Sequence, residues 1–330
     1  MRASEDLKIG VTAGGTTHSD AAIPDVETKF RMVKDAGVFD YIDRSPPDEE
    51  LADYERCVQK YALPVLSSGW FYTLGADEKL FERNIDVARR LGSQVHNVQV
   101  RTNGADGTPV SDRQVADFYL RANDYGLARG VAPCFEVHVN MWSEHFGRVA
   151  KVAALVAQRG VKFRMTLDHS HVIFKIDNPK EQEIQGMRAD VEAGRVVLDP
   201  FKPGAVTAQW IDANWVRLAH ARAAVPNGPI NVWAKHPDGS YGRGIQYPFV
   251  EPKPGEWHSA WDEARLEPWK EVVRHLFRHH ARDPNSPLSH VSCEFIPPPD
   301  YGGGAKYSIF EQNVACARWL RETWRAAVAS

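Results

Sequence analysis

The sequence is poor in cysteine, with four in 330 residues, and none of them forms a C-x-x-C pair. Cys57, Cys134, Cys293 and Cys316 are scattered, two of them inside apolar strand-like runs. This excludes a disulfide framework or a thiolate zinc clip and reads as buried reduced thiols. No stretch approaches the ~18 unbroken apolar residues of a membrane span. Nor is there an excess of charge of one sign: 40 Lys+Arg against 43 Asp+Glu leave a net of −3. A near-neutral chain lacks the broad electrostatic attraction that nucleic acid or an anionic membrane requires, so neither partner is expected. The first eight residues, Met1 to Lys8, carry no apolar segment of the secretory kind, and the expectation is a cytoplasmic enzyme. What the chain does have is 10 Trp and 13 His, residue types suited to sugar-stacking walls, metal sites and proton transfer.

Short β-like runs recur at Leu7–Ala13, Phe39–Arg44, Pro64–Phe71, Val95–Arg101, Ala132–Val139, Lys162–Asp168, Ile230–His236 and His290–Ile296. Segments of helical period separate them. Leu51, Tyr54, Val58 and Tyr61 share one stripe, as do Phe310, Val314, Ala317 and Leu320. Ser111 with Gln114 forms a capping-box pattern, and Gly37, Gly92, Gly130 and Gly160 each stand between a helical run and a strand. Eight strand–helix units without a linker predict a single-domain (β/α)8 TIM barrel over residues 1–330 rather than a doubly wound sheet. Two connections, Ile173 to Gly228 after the sixth strand and Pro237 to Ser289 after the seventh, exceed what a bare barrel needs. Both leave strand C-termini, the catalytic face of this fold, and read as lid and substrate wall.

Four consecutive strands end in ligand-type residues: Glu136 and His138 on the fifth, Asp168, His169 and His171 on the sixth, Lys235 and His236 on the seventh, and Glu294 on the eighth. Two Glu, one Asp and one His suit a hard-to-borderline cation such as Mn²⁺, with Mg²⁺, Co²⁺ or Zn²⁺ as alternatives. Strand alternation puts Glu136 and His138 on one side, so His138 is expected beside the metal as a base or substrate donor. His171 lies within reach of a substrate oxygen, while His169 has the opposite parity and packs outward.

Glu136, the Asp168-x-x-His171 pair, Lys235 followed by Asp238-Gly239 and Gly242-Arg243-Gly244, and Glu294 resemble the xylose-isomerase-like TIM barrels, the sugar-phosphate isomerase/epimerase superfamily. The likeness spans the chain and is strongest from Phe135 to Glu294. It implies one divalent metal, usually Mn²⁺, held by two glutamates, an aspartate and a seventh-strand histidine, hence by Glu136, Asp168 and Glu294. The family's His-x-Lys-Asp pattern would align Trp233 with the histidine. Ala234 and His236 share a face, and His236 is taken as the fourth ligand. The run from Phe135 to Glu144, with the long loops, also resembles the large subunit of bacterial C-glycoside deglycosidases, which implies a small β subunit as partner and 3-oxo-C-glycosides as substrates.

Both resemblances imply removal of a proton next to a sugar carbonyl, with a metal stabilising the enediolate. His138 or a metal-adjacent glutamate would be the base, and His171 and Lys235 would polarise or orient oxygens. Trp70, Tyr72, Trp142, Trp257 and Trp261 are expected at the catalytic face, with Trp70, Trp142, Trp257 and Arg243 binding a sugar or glycoside. Trp210, Trp215, Trp319 and Trp324 are expected in the core or at a subunit contact of a homo- or hetero-oligomer. The glycine run after Tyr301 reads as a gate, and His275, His279 and His280 as a solvated face. A non-catalytic sugar-binding barrel and an AP endonuclease are the competing readings.

Overall fold

The computed structural model describes residues 7–18, 23–228, 231–298, 301, 302, 304 and 306–330, with backbone alone for 231–234 and 242. Eight parallel strands close into a barrel: β1 (Lys8–Thr12), β2 (Tyr41–Asp43), β3 (Val65–Tyr72), β4 (Val95–Val100), β5 (Ala132–Glu136), β6 (Met165–Asp168), β7 (Val216–Ala221) and β10 (His290–Cys293). Helices α1 (Val26–Ala36), α2 (Leu51–Tyr61), α3 (Glu78–Leu91), α4 (Asp112–Leu127), α5 (Gly147–Ala157), α10 (Glu267–Arg282) and α11 (Ile309–Ala329) alternate with the strands. This is a (β/α)8 barrel of the expected kind.

Local chemistry sets the element ends. The Ser111–Gln114 capping box opens α4 with both reciprocal bonds in place. Gly92 closes α3 at φ 87°, a left-handed conformation that a Cβ would strain. On α2, Leu51 and Tyr54 are buried, and Val58 and Tyr61 pack against the same core. Across the barrel, Gly10 of β1 leaves room for the Tyr41 ring, which a Cβ would meet at 2.4 Å. The Tyr41 hydroxyl lies 2.9 Å from Ser292 Oγ, which in turn donates to Asp43 Oδ2 at 2.6 Å. That chain ties β2 to β10 below the catalytic face.

The seventh strand is not the expected one. Asn231–Lys235 (β8) pairs antiparallel with Tyr241–Gly242 (β9) in a two-stranded hairpin outside the barrel, and Ile230 lies outside the described residues. The barrel position belongs to β7, hydrogen-bonded between β6 and β10 with Asp168 opposite His220 and Leu218 opposite His290. The physical reason is the alternation Val216, Leu218, His220, which puts two apolar side chains and a ligand on one face, directly after the stop at Asn214 (φ 59°). The excursion after β6 therefore ends before Val216, and carries α6 (Ser170–Ile173), α7 (Pro179–Glu183), α8 (Arg188–Glu192) and α9 (Val206–Asp212). The long connection after β7 begins at Arg222 and contains the hairpin. No helix among the described residues is long and apolar enough to cross a membrane.

Candidate metal centre and active site

Strands five to eight of the barrel deliver four ligand-type side chains to one point. Glu136 and Asp168 end β5 and β6, His220 is the penultimate residue of β7, and Glu294 follows β10. One ligand atom from each lies within 4.8 Å of all the others. A single six-coordinate cation with bonds of about 2.1 Å places opposite ligands about 4.2 Å apart, so the cradle has the right size. Its donor set of three carboxylates and one imidazole fits a hard-to-borderline divalent ion.

The surrounding hydrogen bonds orient each ligand. Asn97 Nδ2 donates to Glu136 Oε2 at 2.6 Å, and Ser170 donates to Asp168 Oδ1 from its backbone at 3.0 Å and its hydroxyl at 2.5 Å. Asn97 is itself pressed close by Gly69 of β3, where a Cβ would meet Asn97 Cβ at 2.7 Å. His220 Nδ1 lies 3.0 Å from Glu136 Oε1 and 3.3 Å from Glu294 Oε2, with Nε2 3.7 Å from Asp43. Burial would lower the imidazole pKa, but Glu294 and Glu136 outweigh it and hold His220 well above the ordinary histidine value. Its proton is the charge a bound cation would replace.

Arg222, the residue after β7, is buried and bridges the set. Its Nη1 donates to Glu294 Oε2 at 2.9 Å, and its Nη2 bonds Asp168 Oδ2 and lies 2.9 Å from His171 Nε2. Burial would raise the Asp168 carboxyl, yet Arg222 and then His171 hold it well below the carboxylate range. The ring of Tyr301 lies 4.2 Å from the guanidinium carbon.

His138 is half-buried at the end of β5, with its ring centroid 4.1 Å from that of His171. Its Nδ1 sits 2.5 Å from the Val139 carbonyl and therefore carries the proton, leaving Nε2 as an acceptor 3.1 Å from the Tyr301 hydroxyl. Burial first, then the neighbouring His171, bring His138 down to about 4, and burial brings His171 to about 4 despite Asp168. Both rings are neutral at pH 7. Glu136, His138 and His171 form a second group with ligand atoms within 4.8 Å of one another.

These groups stand at a cavity of about 590 Å³. His138, His220, Arg222, Glu294 and Tyr301 line it, together with an apolar set of Trp70 and Phe71, stacked at 5.0 Å, Ile23, Ile296, Pro297 and Pro298.

No family model matches the chain, and no curated protein matches it in sequence. Solved structures do. A xylose isomerase-like TIM barrel protein from Mycobacterium smegmatis, in complex with magnesium, superimposes with a TM-score of 0.58 at 12% identity, over 99% of this chain and 100% of that one. D-allulose 3-epimerase from Methylomonas sp., in complex with D-allulose, gives 0.57 at 11% identity over 96% and 97%. A sugar phosphate isomerase/epimerase from Parabacteroides distasonis gives 0.51 at 11% over 97% and 96%. The fold is that of the xylose-isomerase-like TIM barrels.

Within this xylose-isomerase-like barrel the expected site residues divide sharply. Glu136, Asp168, Glu294, His138 and His171 meet, and Trp70 lines the same cavity. His236 does not join them: it lies in the turn of the outer hairpin, where its backbone N–H donates to the Ser240 carbonyl at 2.8 Å, and His220 stands in the fourth position. Lys235 is exposed, its ammonium 5.2 Å from the Tyr241 ring centroid. Arg243 is spent on ion pairs with Glu181 and, at 2.7 Å, Glu144, and does not line the cavity. Trp142 is buried beneath the loop after β5, because its indole packs in the core. Trp257 packs on His258 and Tyr307, Trp261 donates to the Pro248 carbonyl, and Tyr72 bonds His96 at 2.7 Å, all away from the cavity lining. His169 stacks on Trp269, between barrel and helices. Of the α10 histidines, His275 faces Asp212, but His280 is buried against Trp324 rather than solvated.

His220, Arg222 and Asn97 were not picked out by sequence reasoning. The available signal was the period-two run Leu218-Ala-His220-Ala-Arg222, hidden inside a segment read as loop.

Proposed function

We propose that this chain is a divalent-metal-dependent enzyme that removes a proton next to the carbonyl of a sugar or keto-sugar, in the isomerase/epimerase manner. The observation that carries it is the convergence of Glu136, Asp168, His220 and Glu294 within 4.8 Å, beside a neutral His138, at a cavity of about 590 Å³. The fold's likeness to sugar epimerases and isomerases supports the reading. So does the magnesium complex of a similar barrel. Mn²⁺ is the ion the donor set suits first. When bound, the cation supplies Lewis-acid stabilisation of negative charge on substrate oxygens.

This chain's own residues do the rest. His138 takes the proton at Nε2, since its Nδ1 is held by the Val139 carbonyl. Burial keeps the Tyr301 phenol protonated, so its hydroxyl can hand a hydrogen bond from His138 to a substrate oxygen. Arg222, held by Asp168 and Glu294 and with the buried His171 ring at its edge, keeps a positive charge beside the same site. Returning the proton to the neighbouring carbon gives isomerisation, and returning it to the opposite face gives epimerisation.

A second reading is favoured by the apolar part of the lining, where Trp70, Phe71 and Ile296 offer more apolar wall than a sugar needs. A 3-oxo-C-glycoside would place its aglycone there. After proton removal at C2, the electron pair forms a C1–C2 double bond as the C1–aglycone bond breaks and the aglycone carbon takes a proton. Association with a small β subunit belongs to this reading.

The test is metal content and solvent exchange. Protein reconstituted with Mn²⁺ is expected to retain about one ion per chain and to exchange a sugar α-proton with D₂O, with Glu294→Gln and His138→Gln losing two to four decades of rate. Neither retention nor exchange would overturn the proposal. Undiminished sugar binding in Glu294→Gln, with no turnover in either protein, would favour a non-catalytic binding barrel.

A further inference from the structure

The cavity carries charge of both signs. Strands five to eight bring carboxylates to it, joined by Asp43 of β2, which is held by Ser292 and faces His220, whereas Lys29 from α1 and Arg44 from the end of β2 bring two cations. In an eight-stranded barrel the second strand faces the sixth, so these cations stand across the cavity from Asp168. Arg222 and His220, the other cations of the lining, are committed to Asp168, Glu294 and Glu136. Among the described residues neither Lys29 nor Arg44 has a carboxylate within 4 Å, although acids are close in sequence. Glu27, two residues before Lys29, turns to Arg56 and Lys60 on α2, and Asp48, four after Arg44, turns to Arg83. Burial is the main influence lowering the Lys29 ammonium; the Glu50 carboxylate, beyond contact distance, opposes it and outweighs the repulsion from Arg44. Ser45, buried beside them in the lining, accepts the Gly69 N–H at 3.0 Å, so its own proton is available to an acceptor. Two half-buried like charges with no carboxylate in direct contact, offset by Glu50 only beyond 4 Å, would gain from an anion that a ligand brings between them.

We infer that Lys29, Arg44 and Ser45 form a subsite for an anionic oxyacid group, phosphate or carboxylate, carried by the substrate at the end remote from the reacting carbonyl. The inference rests on the proposed sugar reaction and names its substrate class: an acidic sugar spanning the cavity, its anion clamped by the guanidinium and ammonium.

The test uses the Mn²⁺-loaded full chain and titration calorimetry with three probes: D-fructose, D-fructose 6-phosphate and D-gluconate. At least one anionic probe should bind tenfold or more tighter than fructose, with affinity falling as salt rises, and the stronger of the two identifies the group. In Lys29→Met/Arg44→Met the gap should collapse to within twofold while fructose binding stays unchanged, and Lys29→Arg/Arg44→Lys should restore it. Equal affinities for all three probes, no binding of any, or a gap that survives the double methionine variant would overturn the subsite. Proton exchange in D₂O, measured on the same proteins, separates the two claims. Anion preference without exchange leaves the subsite standing and removes the reaction, whereas exchange on fructose without anion preference does the reverse.

Discussion

Replacing His220 by asparagine tests whether the metal position belongs to the strand Val216–Ala221 or to the hairpin that carries His236. The imidazole lies 3.0, 3.3 and 3.7 Å from Glu136, Glu294 and Asp43. At these separations each attraction is on the order of 4.5–5.5 kcal/mol at an effective dielectric of about 20, before desolvation is subtracted. With Asp168 the site holds four carboxylates against two cations, Arg222 and protonated His220. Removing one cation from such a buried set costs about 3–5 kcal/mol. For a chain of this length the unfolding entropy is roughly 0.7 kcal/mol/K, so the metal-free variant should melt about 4–7 °C lower. The sign with pH follows from the raised His220 pKa. Its contribution is complete below the unfolded value and is lost as pH rises through the folded value, so the wild-type advantage should shrink in alkaline solution.

Metal affinity is the sharper readout. Loss of a partner that only orients a ligand costs about 10–100-fold, so loss of the ligand itself should cost at least about 100-fold, or about 2.7 kcal/mol. Wild-type binding should also tighten as pH rises, because the proton on His220 must leave. Calorimetry with Mn²⁺ on wild type, His220→Asn and His236→Asn, with melting curves on each, reads both effects. His236→Asn should match wild type within twofold. Wild-type affinity in His220→Asn, or its loss in His236→Asn, would refute the placement.

Trp70 and Trp142 should separate. Trp142→Ala empties a buried core position and should cost about 3–5 kcal/mol in denaturant unfolding, while Trp70→Ala should change stability by less than about 1 kcal/mol and raise KM. Acid should destabilise the fold through buried neutral histidines. Burial takes His96 to about 3 and His290 to about 4, so the unfolded chain binds more protons below pH 6.5, and stability should fall between pH 6.5 and 4 by about 3 kcal/mol for each. A His290→Gln variant with an unchanged pH slope would contradict this. Lys175 is buried against Glu144 at 3.0 Å, and Glu144 also binds Arg243 and the Asn140 N–H, so Lys175→Met should cost about 3–5 kcal/mol by leaving carboxylate charge uncompensated, measured by urea denaturation.

Much of the barrel was legible because its signals are local. The capping box at Ser111, the left-handed glycine ends and the apolar stripe of α2 each lie within a few residues, and they delimit a βα unit without reference to its neighbours. Three of the four carboxylate and imidazole groups that converge were legible for the same reason: Glu136, Asp168 and Glu294 each end an apolar run, where an unpartnered carboxylate would be costly. The fourth was not, because Asn231–Lys235 and Val216–Ala221 both read as strands and only one gap in the barrel exists. Local propensity favours the first, which does form a strand, paired with Tyr241–Gly242. The choice is made by closure: a strand between β6 and β10 must place a ligand opposite Asp168 and an apolar residue opposite His290, and only the Leu218–His220 register does both. The misplaced tryptophans and Arg243 follow from the same limit. A residue just beyond a strand end can turn into the cavity or into the roof above it, and Trp142 and Arg243 turn into the roof because Glu144, Lys175 and Glu181 form a buried charge cluster there that needs Arg243 as its second cation. Long-range charge balance decided these positions, and it also leaves Lys29 and Arg44 lining the cavity with no carboxylate, among the described residues, within 4 Å of either.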